Sequence, residues 1–311
     1  MKIYLWDKGF AEPCTGDVVQ RNNRVVEITT PVEKDVYKMV FFDGTSVLTT
    51  DDMVWTYHYL KHDRHYTVDF KTFRKRASMK DLETTFYFFD AMTKPFWFNV
   101  DKVLIPPIVA GLYCAQSKAL DTMLPPNIFY SSYYFGITKT PTGKKTLLKH
   151  MQENWWHDTH FRPLNAYIPD EIKYSTVHKR CEFLTGFFSL KGKTDSRKTK
   201  ILVSVTSRQL ADDLIWLIRS LGGQAGYKKF RLPRTFNIFI YPNDVIFPSL
   251  PSRMQVNLVN CTDESIKYKK LRSIEYMGKM PWSDIHTELG VYYNEDFIPI
   301  RGEKFGKSKE S

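Results

Sequence analysis

Short apolar runs separated by polar residues predict a β-rich segment from residue 14 to about residue 70. Val25–Ile28 predicts one short strand. Residues 35–48 predict two strands around Asp43-Gly44, since this dipeptide between apolar runs is a strong hairpin signal. The pattern therefore predicts an antiparallel meander in this part of the chain.

The segment 180–223 predicts a helix, a turn, a strand and a second helix. An apolar run is followed by the basic loop Lys191–Lys200 and then by a β-branched run, 201–206. Ser207 is a favourable N-cap for the second helix, and Gly222 supplies the left-handed residue that ends it. The apolar positions of this helix share one face: Leu210, Leu214, Leu217, Ile218 and Leu221.

Other apolar runs extend this alternation of helices and strands. Residues 104–118 predict a helix in which proline occupies the first turn, a position that suits it. Residues 235–241 predict a strand. Prolines in the stretch 242–251 predict a linker between folding units.

Composition and charge narrow the range of functions. A chain of 311 residues with 42% hydrophobic and 15% aromatic residues is long enough for two or three folding units with real cores. Its formal net charge of +11 favours a polyanionic partner, and nucleic acid comes ahead of an acidic membrane surface. The alternative is a basic surface that engages no partner.

Cysteine usage and the N-terminus bear on the compartment. Cys14, Cys114, Cys181 and Cys261 lie far apart without a Cys-x-x-Cys pair, so we expect a reducing cytosol and no zinc framework. The first residues lack the long apolar core of a signal peptide, and no run has the length of a membrane span. These features predict a cytoplasmic protein that does not enter a membrane.

The segment 180–223 resembles the second repeat of a two-motif LAGLIDADG homing endonuclease, of the kind embedded in inteins. In that family an arginine precedes an apolar helix that ends in Gly-Leu-x-Asp-x-Asp-Gly, and a strand, a Thr-Ser step and a helix ending in Ser-Leu-Gly-Gly follow. Lys191 stands where the resemblance implies the metal-binding acid. The positions that fit the pattern are Arg180, Gly186, Gly192, Thr206, Ser207, Leu210, Leu221, Gly222 and Gly223.

The run 104–118 is similar to the first motif of the same family, since Pro107, Gly111 and Tyr113 align with it. Small residues there allow the two motif helices to pack closely. The acid position falls on Gln116. The resemblance implies that two acids hold a divalent metal for DNA cleavage, and an amide with a lysine in their place predicts that metal affinity is lost. Substitute acids are Asp121 and Asp195.

The two ends of the chain resemble the self-splicing Hint domain of inteins. In that family a cysteine is the first nucleophile, and here it is Cys14. The histidine that polarises the first scissile amide falls on Met53, and the terminal His-Asn pair falls on Arg301 and Gly302. A thioether donates no hydrogen bond and glycine has no amide to cyclise, so we expect no splicing. The other matching positions are Gly16, Asp17, Val36, Tyr37, Phe41, Asp43, Gly44, Thr50 and Trp55.

These resemblances imply an α+β fold of two domains. Residues 1–100 with 252–311 form a β-rich Hint-like domain from both chain ends. Residues 101–251 form an inserted, pseudo-symmetric LAGLIDADG-like domain of αββαββα order. Its two repeats span about 101–175 and 176–251.

The first functional hypothesis is an intein-derived, double-stranded-DNA-binding protein that has lost cleavage and splicing and is retained as a regulatory or accessory factor. It would act as a monomer without a cofactor, in the cytoplasm or nucleoid of a host cell if it is encoded by a phage or other mobile genome. The alternative for its cations is a solvated loop and hairpin. The predicted DNA-binding residues are Lys191, Lys193, Arg197, Lys198, Lys200, Lys228, Lys229, Arg231 and Arg234.

Two further hypotheses remain open. One is an active, Mg²⁺-dependent site-specific endonuclease whose acids have moved. The other is an interaction protein that reuses the fold as a docking piece of a larger assembly, with Phe86–Phe89 and Tyr130–Phe135 facing a protein partner. A basic cluster in 71–80 is either a nucleic-acid contact or the solvated face of a helix.

Overall fold

The computed structural model describes residues 2–5, 9–20, 23–59, 64–77, 87–98, 103, 106–115, 166–228, 235–255, 258 and 267–301. Within these residues the protein is a mixed α+β chain rich in β-strand, as the sequence predicts at this level. None of the helices described here is long and apolar enough to cross a lipid bilayer.

Two compact units make up the chain. Unit 1 comprises Met1–Thr93 with Asp263–Ser311, and unit 2 comprises Lys94–Thr262. The sequence predicts the same arrangement with domain ranges of 1–100 with 252–311 and 101–251, so the boundaries of the two units differ from the predicted ones by 7 and 11 residues. The predicted first repeat falls largely on residues outside the described part of the chain.

The elements are numbered in chain order. The strands are β1 Ile3–Leu5, β2 Gly9–Ala11, β3 Val18–Gln20, β4 Asn23–Ile28, β5 Val32–Phe41, β6 Ser46–Thr50, β7 Val54–Tyr59, β8 Arg64–Asp69, β9 Tyr87–Asp90, β10 Lys193–Thr194, β11 Ile201–Val205, β12 Gln224–Tyr227, β13 Phe236–Tyr241, β14 Tyr268–Trp282, β15 Ile285–Thr287, β16 Val291–Tyr293 and β17 Pro299–Arg301. The helices are α1 Phe70–Arg76, α2 Pro107–Ala115, α3 Asp170–Lys173, α4 Val177–Leu190, α5 Arg208–Ser220 and α6 Ser252–Gln255, with a 3-10 helix at Phe247–Ser249.

Unit 1 is built on a six-stranded sheet with the order β6-β5-β14-β9-β7-β8. Its central pair joins the two ends of the chain, since β5 and β14 run antiparallel from Val32 opposite Trp282 to Phe41 opposite Leu271. The smaller sheets are β15-β4-β3, β1-β2 and β16-β17.

The hairpin predicted at Asp43-Gly44 is confirmed. Val40 pairs with Ser46 across the turn, and Gly44 has the positive φ of 83° that favours glycine. The Asp43 carboxylate accepts hydrogen bonds from the Thr45 backbone and hydroxyl and from the Lys269 ammonium, at 3.0, 2.6 and 2.5 Å. Because Asp43 and Lys269 are both buried, this ion pair ties the hairpin to β14.

The described cations of the basic cluster in residues 71–80 lie on helix α1. Asp69 caps the helix by accepting the Thr72 amide at 2.6 Å, and Phe70 and Phe73 are fully buried on one face. The other face is exposed and ends in Arg74, Lys75 and Arg76. The described cations of the cluster therefore lie on the exposed face of a helix, and Lys80 lies outside the described residues.

Two of the three aromatic residues of β9, Tyr87 and Phe89, belong to the core of unit 1. Tyr87 and Phe89 are 5% and 1% exposed, and Phe89 packs against Phe41, Trp55 and Phe73. The hypothesis that this run faces a protein partner is therefore wrong for Tyr87 and Phe89. Phe86 and Tyr130–Phe135 lie outside the described residues.

Unit 2 has a four-stranded antiparallel sheet with the order β10-β11-β13-β12. The chain passes through α4, β10, β11, α5, β12, β13 and the 3-10 helix in turn. Ser207 caps α5 as predicted, since its hydroxyl accepts the Leu210 amide at 3.1 Å. The predicted apolar face of α5 is confirmed as well, because its leucines and Ile218 are buried in the core of unit 2.

Helices α2 and α4 meet backbone to backbone at two glycines. A Cβ atom on Gly111 would lie 2.0 Å from the carbonyl oxygen of Phe183, and one on Gly186 would lie 1.9 Å from that of Ile108. Real Cβ atoms do not approach an oxygen so closely, so only glycine fits at either position. The predicted close approach of these two helices is confirmed.

Arg180 on α4 is a fully buried cation. Its guanidinium donates hydrogen bonds to the carbonyl oxygens of Ser175, at 3.1 Å, Ser220, at 3.0 Å, and Phe96. Its Cζ atom lies 4.7 Å from the ring centroid of Phe98. Since its hydrogen bonds join chain segments that are far apart in sequence, Arg180 has a structural role in unit 2.

The linker predicted in 242–251 is wrong. Ile246 and Leu250 are 0% and 3% exposed and belong to the core of unit 2, and Met254 of α6 does too. The amide of Asn243 donates to the carbonyl oxygen of Leu221 at 2.8 Å. The prolines therefore shape short turns that pack against unit 2.

Candidate nucleic-acid interface

The four-stranded sheet of unit 2 has two chemically different faces. One face is apolar and buried in the core. It consists of Ile201, Val203, Val205, Ala225, Ile238 and Ile240. The alternating positions form the other face, which we call the outer face. It consists of Lys193, Lys200, Leu202, Ser204, Lys228, Asn237, Phe239 and Tyr241, all half-exposed or exposed.

Positive charge surrounds the outer face. Lys193 pairs with Leu202 in the register of β10 and β11, and Lys228 follows β12, where its amide donates to the carbonyl oxygen of Asn237 at 2.8 Å. Lys200 precedes β11, and its ammonium lies 5.7 Å from the ring centroid of Tyr241. The four strands contain no aspartate or glutamate. The outer face therefore carries positive charge, and its own strands contribute no acidic side chain.

The loop between β10 and β11 is shaped by Asp195. Its carboxylate accepts the amides of Thr199 and Lys200 at 2.8 and 3.2 Å, and Lys198 has a positive φ of 57°. Burial raises the pKa of Asp195, but these hydrogen bonds outweigh burial and hold it below its usual value. This loop presents Arg197 and Lys198 to solvent.

Lys191 is the C-cap of α4, and its amide donates to the carbonyl oxygen of Phe187 at 3.0 Å. Arg253 donates to the carbonyl oxygen of Ser189 at 3.1 Å, so a second cation lies at the same helix end. Cations are favourable at a helix C-terminus, because it carries partial negative charge. Two cations therefore occupy the region where the resemblance implies a metal-binding carboxylate.

Among the described residues, no three His, Cys, Asp or Glu side chains lie close enough together to hold a metal ion. Asp195 is one of the two proposed substitute acids, and its oxygens accept hydrogen bonds within its own loop. Asp121 lies outside the described residues, as do Gln116, Lys229, Arg231, Arg234 and Gly302.

The predicted splicing positions of unit 1 lie on separate elements. Cys14 is exposed in a turn, where its amide donates to the Asp17 carboxylate at 2.8 Å. Met53 packs against the core of unit 1, and Arg301 ends β17 opposite Val291. Among the described residues, the side chains of these three share no hydrogen bond or ion pair.

Sequence reasoning missed five side chains of the outer face: Leu202, Ser204, Asn237, Phe239 and Tyr241. It predicted the two strands but not which of their residues face outward. The signal was the alternation of these residues with buried residues of β11 and β13. The Ser204 hydroxyl donates to the Asn237 side-chain oxygen at 2.6 Å, so β11 and β13 also share a polar contact on this face.

A comparison with protein-family models found no match, and a search of curated proteins found none either. The function is therefore argued from the residues and their geometry.

Proposed function

We propose that this protein binds double-stranded DNA through the outer face of unit 2 and does not cleave it. The observation that carries this proposal is a sheet face with three lysines and no acid on its strands. Lysines that contact phosphates release counterions, and this release supplies most of the affinity for a duplex. Polar side chains between the lysines are suited to base edges in the major groove.

The order of elements in unit 2 supports a LAGLIDADG-like architecture. Helix, two strands, helix and two strands follow one another from α4 to β13. The close contact of α2 with α4 at two glycines is the packing expected of the two motif helices in that family. In unit 1, the pairing of β5 with β14 supports a Hint-like domain formed by both chain ends. We propose that the protein is a degenerate relative of intein-encoded endonucleases that serves as a regulatory or accessory factor.

The residues that stand in place of the implied acids and histidines support binding without cleavage. A hydrolytic metal centre needs carboxylates that hold the ion and lower the pKa of its water. Lys191 and Arg253 place two positive charges at the end of α4, and Asp195 is held in its own loop. Splicing is disfavoured in the same way, because Met53 and Arg301 replace the two histidines that the resemblance implies.

The test is retention of the full-length protein on a pool of random duplex DNA at rising salt, with and without Mg²⁺. We expect salt-sensitive binding and intact DNA. Lys193→Gln combined with Lys228→Gln should reduce the slope of log affinity against log salt by about 2, one for each lost phosphate contact. Lys75→Gln, which removes an exposed charge from α1, is the matched control and should leave the slope unchanged.

Other outcomes would favour the other hypotheses. Cut DNA in Mg²⁺ would contradict the loss of cleavage and favour an endonuclease with relocated acids. Absence of binding even at low salt would overturn DNA binding and favour the interaction-protein hypothesis. If the double variant and the wild type have the same slope of log affinity against log salt, the DNA contact does not lie on the outer face.

A further inference from the structure

Two aromatic rings lie side by side at the centre of the outer face. Phe239 and Tyr241 alternate with the fully buried Ile238 and Ile240 on β13, which is an inner strand of the sheet. Their ring centroids are 5.8 Å apart, and the ring planes are inclined at 66°. Both side chains are half-exposed. The face therefore offers aromatic surface as well as positive charge.

A small residue lies on one side of the Phe239 ring, and a cation lies near both rings. Phe239 lies opposite Leu202 on β11 and opposite Gly226 on β12, and glycine contributes no side chain beside the ring. The Lys200 ammonium lies 6.0 Å from the ring centroid of Phe239 and 5.7 Å from that of Tyr241. A cation is thus close to both rings.

Duplex binding alone does not account for this arrangement. A paired base presents only its edges in the grooves, so the flat surface of an aromatic ring has no base surface to stack on. An unpaired base exposes its flat surface, and stacking on an aromatic side chain is a major source of affinity for single strands. The two ring centroids are 5.8 Å apart and the rings are steeply inclined, so successive unpaired bases would each contact a ring of their own.

We propose that Phe239 and Tyr241 stack with unpaired bases, with Lys200 at the phosphate between them, so that the outer face prefers DNA containing a short single-stranded segment. This inference rests on the proposed function, because it concerns the same face. It adds a substrate class: a duplex with a bubble, a junction or a frayed end is preferred over a fully paired duplex.

The test uses fluorescence anisotropy of the full-length protein with three labelled DNAs of one sequence. They are a full duplex, the same duplex with a short central bubble of unpaired thymines, and the single strand. We expect the bubble to bind at least about tenfold more tightly than the duplex, which corresponds to about 1.4 kcal/mol.

Variants separate stacking from charge. Phe239→Leu with Tyr241→Leu should remove the preference for the bubble, so that this variant binds bubble and duplex with equal affinity. Tyr241→Phe keeps the ring and should keep the preference. Lys193→Gln should weaken binding to the bubble and to the duplex by the same factor. Circular dichroism melts confirm that each variant is folded.

The two proposals fail in different ways. Equal affinity for bubble and duplex, or a preference that survives the double leucine variant, would overturn stacking while duplex binding stands. Binding to the single strand without binding to the duplex would overturn duplex recognition and support stacking. Binding to none of the three DNAs would overturn both.

Discussion

The α2–α4 contact and the outer face of the sheet belong to the same unit but respond differently to substitution. At the helix contact, a methyl group on Gly186 would collide with a backbone carbonyl, which has no freedom to move alone. On the outer face, Lys193 is exposed and can be replaced without disturbing any buried group. Substitutions that affect stability are therefore expected at different positions of unit 2 from those that affect the proposed DNA binding. The substitutions below test this separation.

Gly186→Ala should have the largest effect. Its Cβ would lie 1.9 Å from the Ile108 carbonyl oxygen, so the two helices must separate and lose packing along their contact. We expect the free energy of unfolding to fall by about 3 kcal/mol, measured by urea denaturation. Thr185→Ala, at the exposed neighbouring position of α4, is the control and should be close to neutral. A stable Gly186→Ala protein would show that this contact is looser than described.

Arg180→Met should have the next largest effect. Methionine keeps most of the volume but leaves the carbonyl oxygens of Ser175, Ser220 and Phe96 without this donor. The Ser220 carbonyl keeps the Phe96 amide as a donor, at 2.7 Å, and a buried hydrogen bond to a charged group contributes about 1.5–3 kcal/mol. We therefore expect a net loss of about 2–3 kcal/mol in the same assay. Lys179→Met, one position earlier on α4, is the charge-matched control. A change below about 0.5 kcal/mol would contradict the structural role of Arg180.

Asp195→Ala should have the smallest effect on stability and should make it less dependent on pH. The pKa of Asp195 is lowered in the fold, so its contribution is complete above the unfolded pKa of about 4 and is lost as pH falls through the folded pKa. At neutral pH we expect a loss of about 1 kcal/mol, as for a helix cap. Below pH 4 the stabilities of variant and wild type should converge, as followed by thermal melts across pH. Curves that stay parallel would exclude this carboxylate as the titrating group.

Local chemistry made part of unit 2 predictable from sequence. Ser207 and Gly222 mark the ends of α5 through capping and backbone conformation, which depend on few neighbours. The linker prediction failed because Ile246 and Leu250 lie among prolines, and only the folded unit shows that they are buried. The burial of Tyr87 and Phe89 was missed for the same reason, since a short aromatic run does not reveal which surface covers it.

The candidate site was predictable to a similar extent. Lysines at 193, 200 and 228 were expected to contact DNA, and the structure places them on one sheet face. Asp195 shapes its loop because its carboxylate accepts the amides of Thr199 and Lys200, and the local sequence does not predict these hydrogen bonds. Phe239 and Tyr241 were hidden because an alternating strand looks the same whichever face is buried.

The pairing of β5 with β14 sets the order of events on the ribosome. Phe41 and Leu271 are partners in this ladder but are separated by most of the chain. At about 5–20 residues per second, β5 waits about 10–50 s for its main partner to be synthesised. Unit 2 ends at Thr262, so its whole chain is synthesised before β14, which begins at Tyr268. The unpaired edge of β5 in the nascent chain is then the segment that most needs protection by a chaperone.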